Sequence, residues 1–324
     1  MSRDNNPSLG ILFILIGIFA ISVNDLLIKY LSGGYPLHQL VAIRAGIGLI
    51  FTTALLHREG GFRLLRTDTP WLHALRCAMI IGANMTFYAA VVVMPLAQAM
   101  ALFFVAPLLI TLLSIPVLGE KVGPWRLSAV GVGFVGVLVM QQPWAALDPN
   151  GPGRIALLLP VIAAALYASM QVLTRRLGVS SPASALAFYV QSAFLIVSLV
   201  FFTITGDGRF SGTGDAGLDF LLRAWIVPPV SDFWLLGLLG LCSGVIGYAI
   251  SAAYKLTDAA TIAPFEYVGM PLAIFWGWTV FGEWPDINTW IGCALIVGAG
   301  AVVFLREQKR KAPAPGRRSR WGRN

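Results

Sequence analysis

Apolar residues in this chain come in long runs, separated by short stretches rich in Pro and Gly. Ten runs approach or reach the roughly 20 residues that a helix needs to cross a bilayer. They cover 9–29, 37–57, 71–93, 96–118, 125–142, 154–175, 183–204, 232–254, 260–281 and 287–305. The joins read "SGGYP", "MP", "GP", "PNGPG", "SSP" and "WPD", all of which favour turns. The pattern predicts an all-α integral membrane protein with ten transmembrane helices. The first run lacks a small-residue cleavage signature, so it reads as a first span and not as a removed signal peptide.

Composition agrees: 57% of the 324 residues are hydrophobic and 12% are charged, against roughly 25% charged in soluble domains. Charge adds a direction. With a cytoplasmic N-terminus, 18 Lys and Arg fall on the inside and four (Lys29, Arg154, Arg209 and Arg223) outside, with Arg44 within a span. The positive-inside rule then places both termini in the cytoplasm. The segment 205–231 becomes a long external loop, read as a surface excursion. The net charge of +8 does not call for nucleic acid, because eight basic residues sit in the tail after residue 305. That tail, 306–324, reads as a disordered topology anchor attracted to anionic lipid. Cys77, Cys242 and Cys293 lie in apolar runs and behave as small hydrophobes.

The chain also repeats itself. "PLLITLLSIPVLGE" at 107–120 resembles "MPLAIFWGWTVFGE" at 270–283, with the two Gly-Glu pairs 163 residues apart. "ISVNDLLIKYL" at 21–31 aligns with "YASMQVLTRRL" at 167–177, pairing Asp25 with Gln171 and Lys29 with Arg175. The repeat is five spans long, which gives halves 8–142 and 154–305. Five is odd, so the second half crosses in the opposite sense. Inverted repeats are a hallmark of secondary transporters, with the substrate held near the midplane between halves.

Ten spans, two five-span halves, and spans four and nine ending in Gly-Glu resemble the drug/metabolite transporter superfamily, EamA branch. "VNDLLIKY" in span 1 and "HQLVAIRAGIGLIF" in span 2, with Arg44, are similar to that family too. The resemblance covers about residues 8–306. It implies a multi-pass protein of the bacterial inner membrane that moves small organic solutes. The second copy departs from the first in having Met270 opposite Pro107, with its proline at Pro271. A kink in span 9 displaced by one residue is expected.

Ionisable groups deep in a bilayer cost about 3 kcal/mol or more and point to function. Asp25 and Lys29 share a helical face, so a self-neutralising pair is expected there, with Lys29 snorkelling to the outer interface. Arg44, close to the middle of span 2, cannot lose its charge and needs a partner. Two readings are open: a structural pair with Asp25, or a cavity-facing cation that receives a substrate carboxylate or phosphate. Glu266 has no basic residue nearby on its helix. Hydrogen bonding to a neighbouring helix, substrate binding and proton coupling are all open to it. Its repeat mate is Phe103, so its charge is not part of the repeated scaffold. Pro264, Pro107 and Pro116 should loosen spans 9 and 4, as broken helices do where they line a cavity.

Further candidates for the site are Asn24, Asn84, Tyr88, Gln98, Gln171, Tyr248, Tyr267 and Trp276. Trp276 lies deep enough to stack on a flat substrate, while Trp278, Trp284 and Trp290 suit an interfacial belt. Glycines in spans 5 and 10 let helices approach closely, either as a homodimer face or to pack the halves together. No HExxH, phosphate loop or catalytic cluster of His, Cys, Asp or Glu occurs, and no cofactor or metal is called for. A polytopic membrane enzyme is therefore a distant alternative to a transporter. Among substrates that the resemblance implies, a vitamin-like aromatic such as riboflavin, taken up by alternating access, suits Arg44, Glu266 and the aromatics. Export of amino acids and import of S-adenosylmethionine-like metabolites are the alternatives.

Overall fold

The computed structural model describes residues 7–119, 122–142, 144, 154–176, 182–256 and 265–311. Twelve α-helices are bounded within them. They are α1 (Pro7–Leu31), α2 (Leu37–Glu59), α3 (Pro70–Val93), α4 (Leu96–Phe103), α5 (Ala106–Leu118) and α6 (Pro124–Gln141). Then follow α7 (Arg154–Arg176), α8 (Ala183–Thr205), α9 (Ala216–Leu222), α10 (Phe233–Leu256), α11 (Gly269–Phe281) and α12 (Ile287–Lys311). No strand occurs among the described residues. Seven apolar stretches are long enough to cross a membrane, one of them Leu96–Leu118, formed by α4 and α5 together. Three shorter apolar helices lie at Leu127–Gln141, Gly269–Phe281 and Ile287–Val302. α12 runs to Lys311, past the point where the sequence starts the tail.

Local chemistry fixes the helix ends. Pro70 and Pro124 open α3 and α6, where a missing N–H costs nothing. Gly119 and Gly282 close α5 and α11, both with φ of 69°, a left-handed conformation that an L side chain resists. The repeated Gly of each Gly-Glu pair is thus a helix cap. Glu283 N–H then reaches back to Gly277 O at 2.8 Å. Glu120 and Pro264 lie outside the described residues.

The fourth apolar stretch is broken: the chain leaves helix at Phe104 and Val105. Pro107 lacks an N–H, and its ring crowds the carbonyl four residues back, on Phe103. Tyr267 and Val268 leave helix in the same way, ahead of Pro271. These two breaks are 163 residues apart, like the Gly-Glu pairs. The expected one-residue displacement does not occur. Proline position sets the register only loosely, because the break can form at either end of the crowded turn.

Packing joins α1 to α10, α3 to α7, α2 to α8 and α6 to α12 most closely. A Cβ on Gly136 would meet Gly292 O at 3.0 Å, and one on Gly292 would meet Gly136 O at 2.9 Å. Backbones touch at that crossing, so these glycines pack α6 against α12 within one chain. Gly240 and Gly244 of α10 likewise seat Ile47 and Phe51 of α2. The core runs through Ile28, Leu40, Val91, Leu102, Leu108, Leu239 and Ile296, all fully buried. Ile50, Ile196 and Leu199 face outward as a lipid-facing surface would.

The segment 206–232 is more than a surface excursion. Asp215 Oδ1 caps α9 by accepting Leu218 N–H at 2.9 Å, and Phe220 is fully buried. Arg223 donates to Ser32 O and Gly33 O at 2.9 and 2.8 Å. The Gln39 side chain donates to Ile226 O at 2.6 Å and accepts from Ile226 N–H at 3.1 Å. Tyr35 donates to Asp232 at 2.6 Å. Burial and the Asp232 carboxylate push the Tyr35 phenol up to about 12, so it keeps its proton. The segment is a strap fastened over the ends of α1, α2, α3 and α8.

Candidate functional site

Arg44 lies on α2, 8% exposed, among residues of α1 and α3. Its Nη1 donates to Asn24 Oδ1 at 3.2 Å and its Nη2 to Asn84 Oδ1 at 3.0 Å. The guanidinium also sits over the rings of Tyr88 and Phe194, 5.6 and 5.3 Å from their centroids. Asp25 accepts from Tyr88 O–H at 2.6 Å and from Asn24 Nδ2 at 3.2 Å. Asn24 Nδ2 also donates to Tyr88 Oη at 2.7 Å.

The expected direct Asp25–Arg44 pair is therefore replaced by a relay. Asn24 stands between the charges, with its carbonyl toward Arg44 and its amide toward Asp25. Every member is hydrogen-bonded, the condition under which buried polar groups are tolerated. Arg44 has five N–H donors, and the amide oxygens of Asn24 and Asn84 each take one of them.

A second group lies across the chain. Glu266 is exposed, just ahead of the Tyr267–Val268 break. It lies near Tyr167 on α7 and beside Tyr267 in the chain. Gln171 donates to Tyr167 Oη at 2.8 Å. Tyr267 packs on Phe104 with ring centroids 5.5 Å apart. These two are the break residues of the two copies, so the broken helices meet at their breaks.

Aromatic rings connect the two groups. Tyr88 meets Phe87 at 5.3 Å, Phe87 meets Phe103 at 5.3 Å, and Phe103 meets Tyr167 at 5.5 Å. The result is an aromatic wall with a cation and amides at one end and a carboxylate and phenols at the other. Sequence reading singled out both ends. It missed Phe87 and Phe103 as the wall, because a Phe in an apolar run carries no signal of which helix it faces.

Three candidates lie elsewhere. Trp276 donates from its indole to Ser22 Oγ at 3.2 Å and leans on Phe19, so it joins α11 to α1. Tyr248 is exposed on α10 and meets the Phe13 ring edge-on at 5.8 Å. Gln98 is half-buried on α4, outside both groups.

The expected Asp25–Lys29 pair does not form either. Lys29 Nζ binds both oxygens of Glu283, at 2.6 and 2.7 Å, and donates to Met94 O at 3.0 Å. Glu283 also accepts Leu96 N–H at 3.1 Å. The ammonium thus ties the end of α1 to the α3–α4 join and to the second residue after α11. The repeated Gly-Glu was visible in sequence as a motif. Its ion-pair partner was not, because Lys29 and Glu283 are 254 residues apart.

The model of the EamA-like transporter family matches residues 8–141. A riboflavin transporter of Brucella anthropi is 32% identical over 263 residues, 81% of this chain and 85% of that protein. One from Rhizobium johnstonii is 29% identical over 305 residues, 93% of each chain. An S-adenosylmethionine uptake transporter of Rickettsia prowazekii is 24% identical over 301 residues, 93% of this chain and 94% of that one. A crystal structure at 21% identity shares the fold, with a TM-score of 0.62 over 94% of this chain and 99% of that one.

Proposed function

Since this chain belongs to the EamA-like transporter family, within the drug/metabolite transporter superfamily, we propose that it takes up riboflavin by alternating access. It is a multi-pass transporter of the bacterial inner membrane, not an enzyme. The observation that carries the substrate is the aromatic wall between Arg44 and Glu266. A ring system with polar edges suits a run of aromatic side chains, set edge-to-face and tilted, that is flanked by donors and acceptors. The relatives named as riboflavin transporters support the same substrate.

Ten spans in two inverted halves, with both termini cytoplasmic, form the frame of this proposal. Paired helix breaks, paired glycine caps and the reciprocal packing of α1 on α10 and α3 on α7 support it. So does the uneven split of Lys and Arg between alternate loops, 18 against four. The substrate then lies where the broken helices meet, and the Lys29–Glu283 pair closes the outer end between halves.

A second reading has one observation in its favour. Glu266 would attract a sulfonium or ammonium group, as in S-adenosylmethionine, the substrate in the name of the Rickettsia relative.

The test is rescue of a riboflavin auxotroph that lacks its own uptake system, with labelled riboflavin counted in right-side-out and inverted vesicles. Uptake that requires Arg44 is the expected result. A folded, membrane-inserted protein that accumulates no riboflavin in either orientation sinks the substrate reading. Accumulation of S-adenosylmethionine in the same vesicles would establish the second one.

A further inference from the structure

One feature of the outer end lies apart from the wall. His38, at the start of α2, is 3% exposed, and its Nε2 has no hydrogen-bond partner. Trp225 of the strap stacks on it, ring centroids 5.8 Å apart and planes within 27°. The indole Nε1 of Trp225 is also buried and without a partner. Two orphaned polar atoms on stacked neighbours are unusual, because buried polar groups are nearly always satisfied.

Their chemistry is complementary. His38 Nδ1 lies 3.1 Å from Leu221 O. A carbonyl only accepts, so Nδ1 carries the hydrogen, and in the neutral ring Nε2 is left as an acceptor. Trp225 Nε1 can only donate. An acceptor and a donor on two stacked rings together suit a ring N–H and a neighbouring ring carbonyl. Phe201, 5.9 Å from His38, and Phe202, 4.5 Å from Trp225, add flat apolar surface.

The place also connects to the main site. A cavity of about 20 Å³ is lined by His38, Val41, Asn84, Phe194 and Phe201, among others. That is room for about one water. Asn84 holds Arg44, and Phe194 lies under its guanidinium. The lining therefore runs from beneath the strap to the partners of Arg44.

We infer that His38 and Trp225 form an outer recognition subsite for the cyclic amide edge of a flat heteroaromatic substrate, on the route to Arg44. The inference rests on the proposed uptake of riboflavin and adds where the ring is first read. The strap supplies half of the subsite, so a ring enters when the strap lifts and is read as it settles again.

The experiment measures vesicle uptake of riboflavin and of N3-methylriboflavin, whose ring N–H is blocked. Wild type should favour riboflavin roughly 5–10-fold, the worth of about one hydrogen bond. His38→Phe and Trp225→Phe keep aromatic bulk and remove the acceptor or the donor. Each should raise the riboflavin KM severalfold with the maximal rate kept, and His38→Phe should erase the preference. Equal transport of both compounds by wild type overturns the inference without any variant. An unchanged KM in both variants, purified as single monodisperse species, overturns it as well. A wild type that carries no riboflavin removes the functional reading beneath it, whereas riboflavin uptake without discrimination removes this inference alone.

Discussion

Arg44 shows how a membrane-buried charge is made tolerable by geometry more than by a counter-charge in contact. Asn24 and Asn84 each take one N–H, and Asp25 balances the charge from behind Asn24. A lysine keeps the charge but cannot fork between two amides. Arg44→Lys is therefore expected to reduce uptake at least about tenfold, one lost charged hydrogen bond or more, with normal membrane insertion. Wild-type uptake by that variant would take Arg44 out of the site. Glu266→Gln keeps size and polarity but removes the charge near Tyr167 and Tyr267. Uptake measured across external pH should lose its pH-dependent component in this variant, and an unchanged profile rules out a proton role. The burial of Asp25 and Arg44 was legible from their positions along apolar runs. The identity of their neighbours was not, because that depends on how each helix is rotated about its own axis.

Among the elements, the glycines of α6 and the strap make separable demands. Gly136 and Gly292 sit where two backbones touch, whereas a Cβ on Gly131 of the same helix meets nothing within 4 Å. Gly136→Leu should force α6 and α12 apart and abolish a monodisperse detergent peak, while Gly131→Leu leaves it intact. Equal behaviour of the two would show that α6–α12 contact is dispensable. In the strap, Asp219 Oδ1 accepts from Thr213 N–H, Gly212 N–H and the Thr213 hydroxyl at 2.9, 2.9 and 3.0 Å. The Thr213 amide foremost holds this carboxyl below its ordinary value. A carboxyl lowered on folding stabilises above its unfolded pKa, about 3.9, and that stability is lost as pH falls through the lower folded value. Amide protection at Gly212 and Thr213 should thus be flat from about pH 7 to 5 and fall only in stronger acid. A loss already near pH 6 would contradict the role given to Asp219.

For the whole molecule, the proposed orientation makes the Lys29–Glu283 pair a contact that opposes opening of the outer end. It joins the end of α1 to the second residue after α11 and, through Leu96 and Met94, to the start of α4. Removing one partner of a largely buried pair strands the other, which is costlier than removing both. Lys29→Met and Glu283→Gln should each lower the melting temperature in detergent, and the double variant should recover part of the loss. The double variant should also label faster at a cysteine placed beneath the outer end. Additive destabilisation with unchanged labelling would mean that the pair does not hold the two elements together. Asp25, four residues from Lys29, looked like the natural partner in sequence. Helix ends are where side chains choose between local and distant partners, and the distant place offered Lys29 both oxygens of Glu283 and the Met94 carbonyl.

The sequence by itself determined what needs only one dimension. Apolar length fixed where helices form, and Pro107 and Pro271 fixed that two of them break. The repeated Gly fixed where α5 and α11 end, since these features act within a turn or two of the residue that causes them. Only the tertiary structure decided which charges share partners. It placed Asn24 between Asp25 and Arg44, gave Lys29 to Glu283, turned Trp276 toward Ser22, and folded Trp225 onto His38. Each of these depends on helix rotation and on contacts between residues far apart in the chain, and no local pattern encodes that.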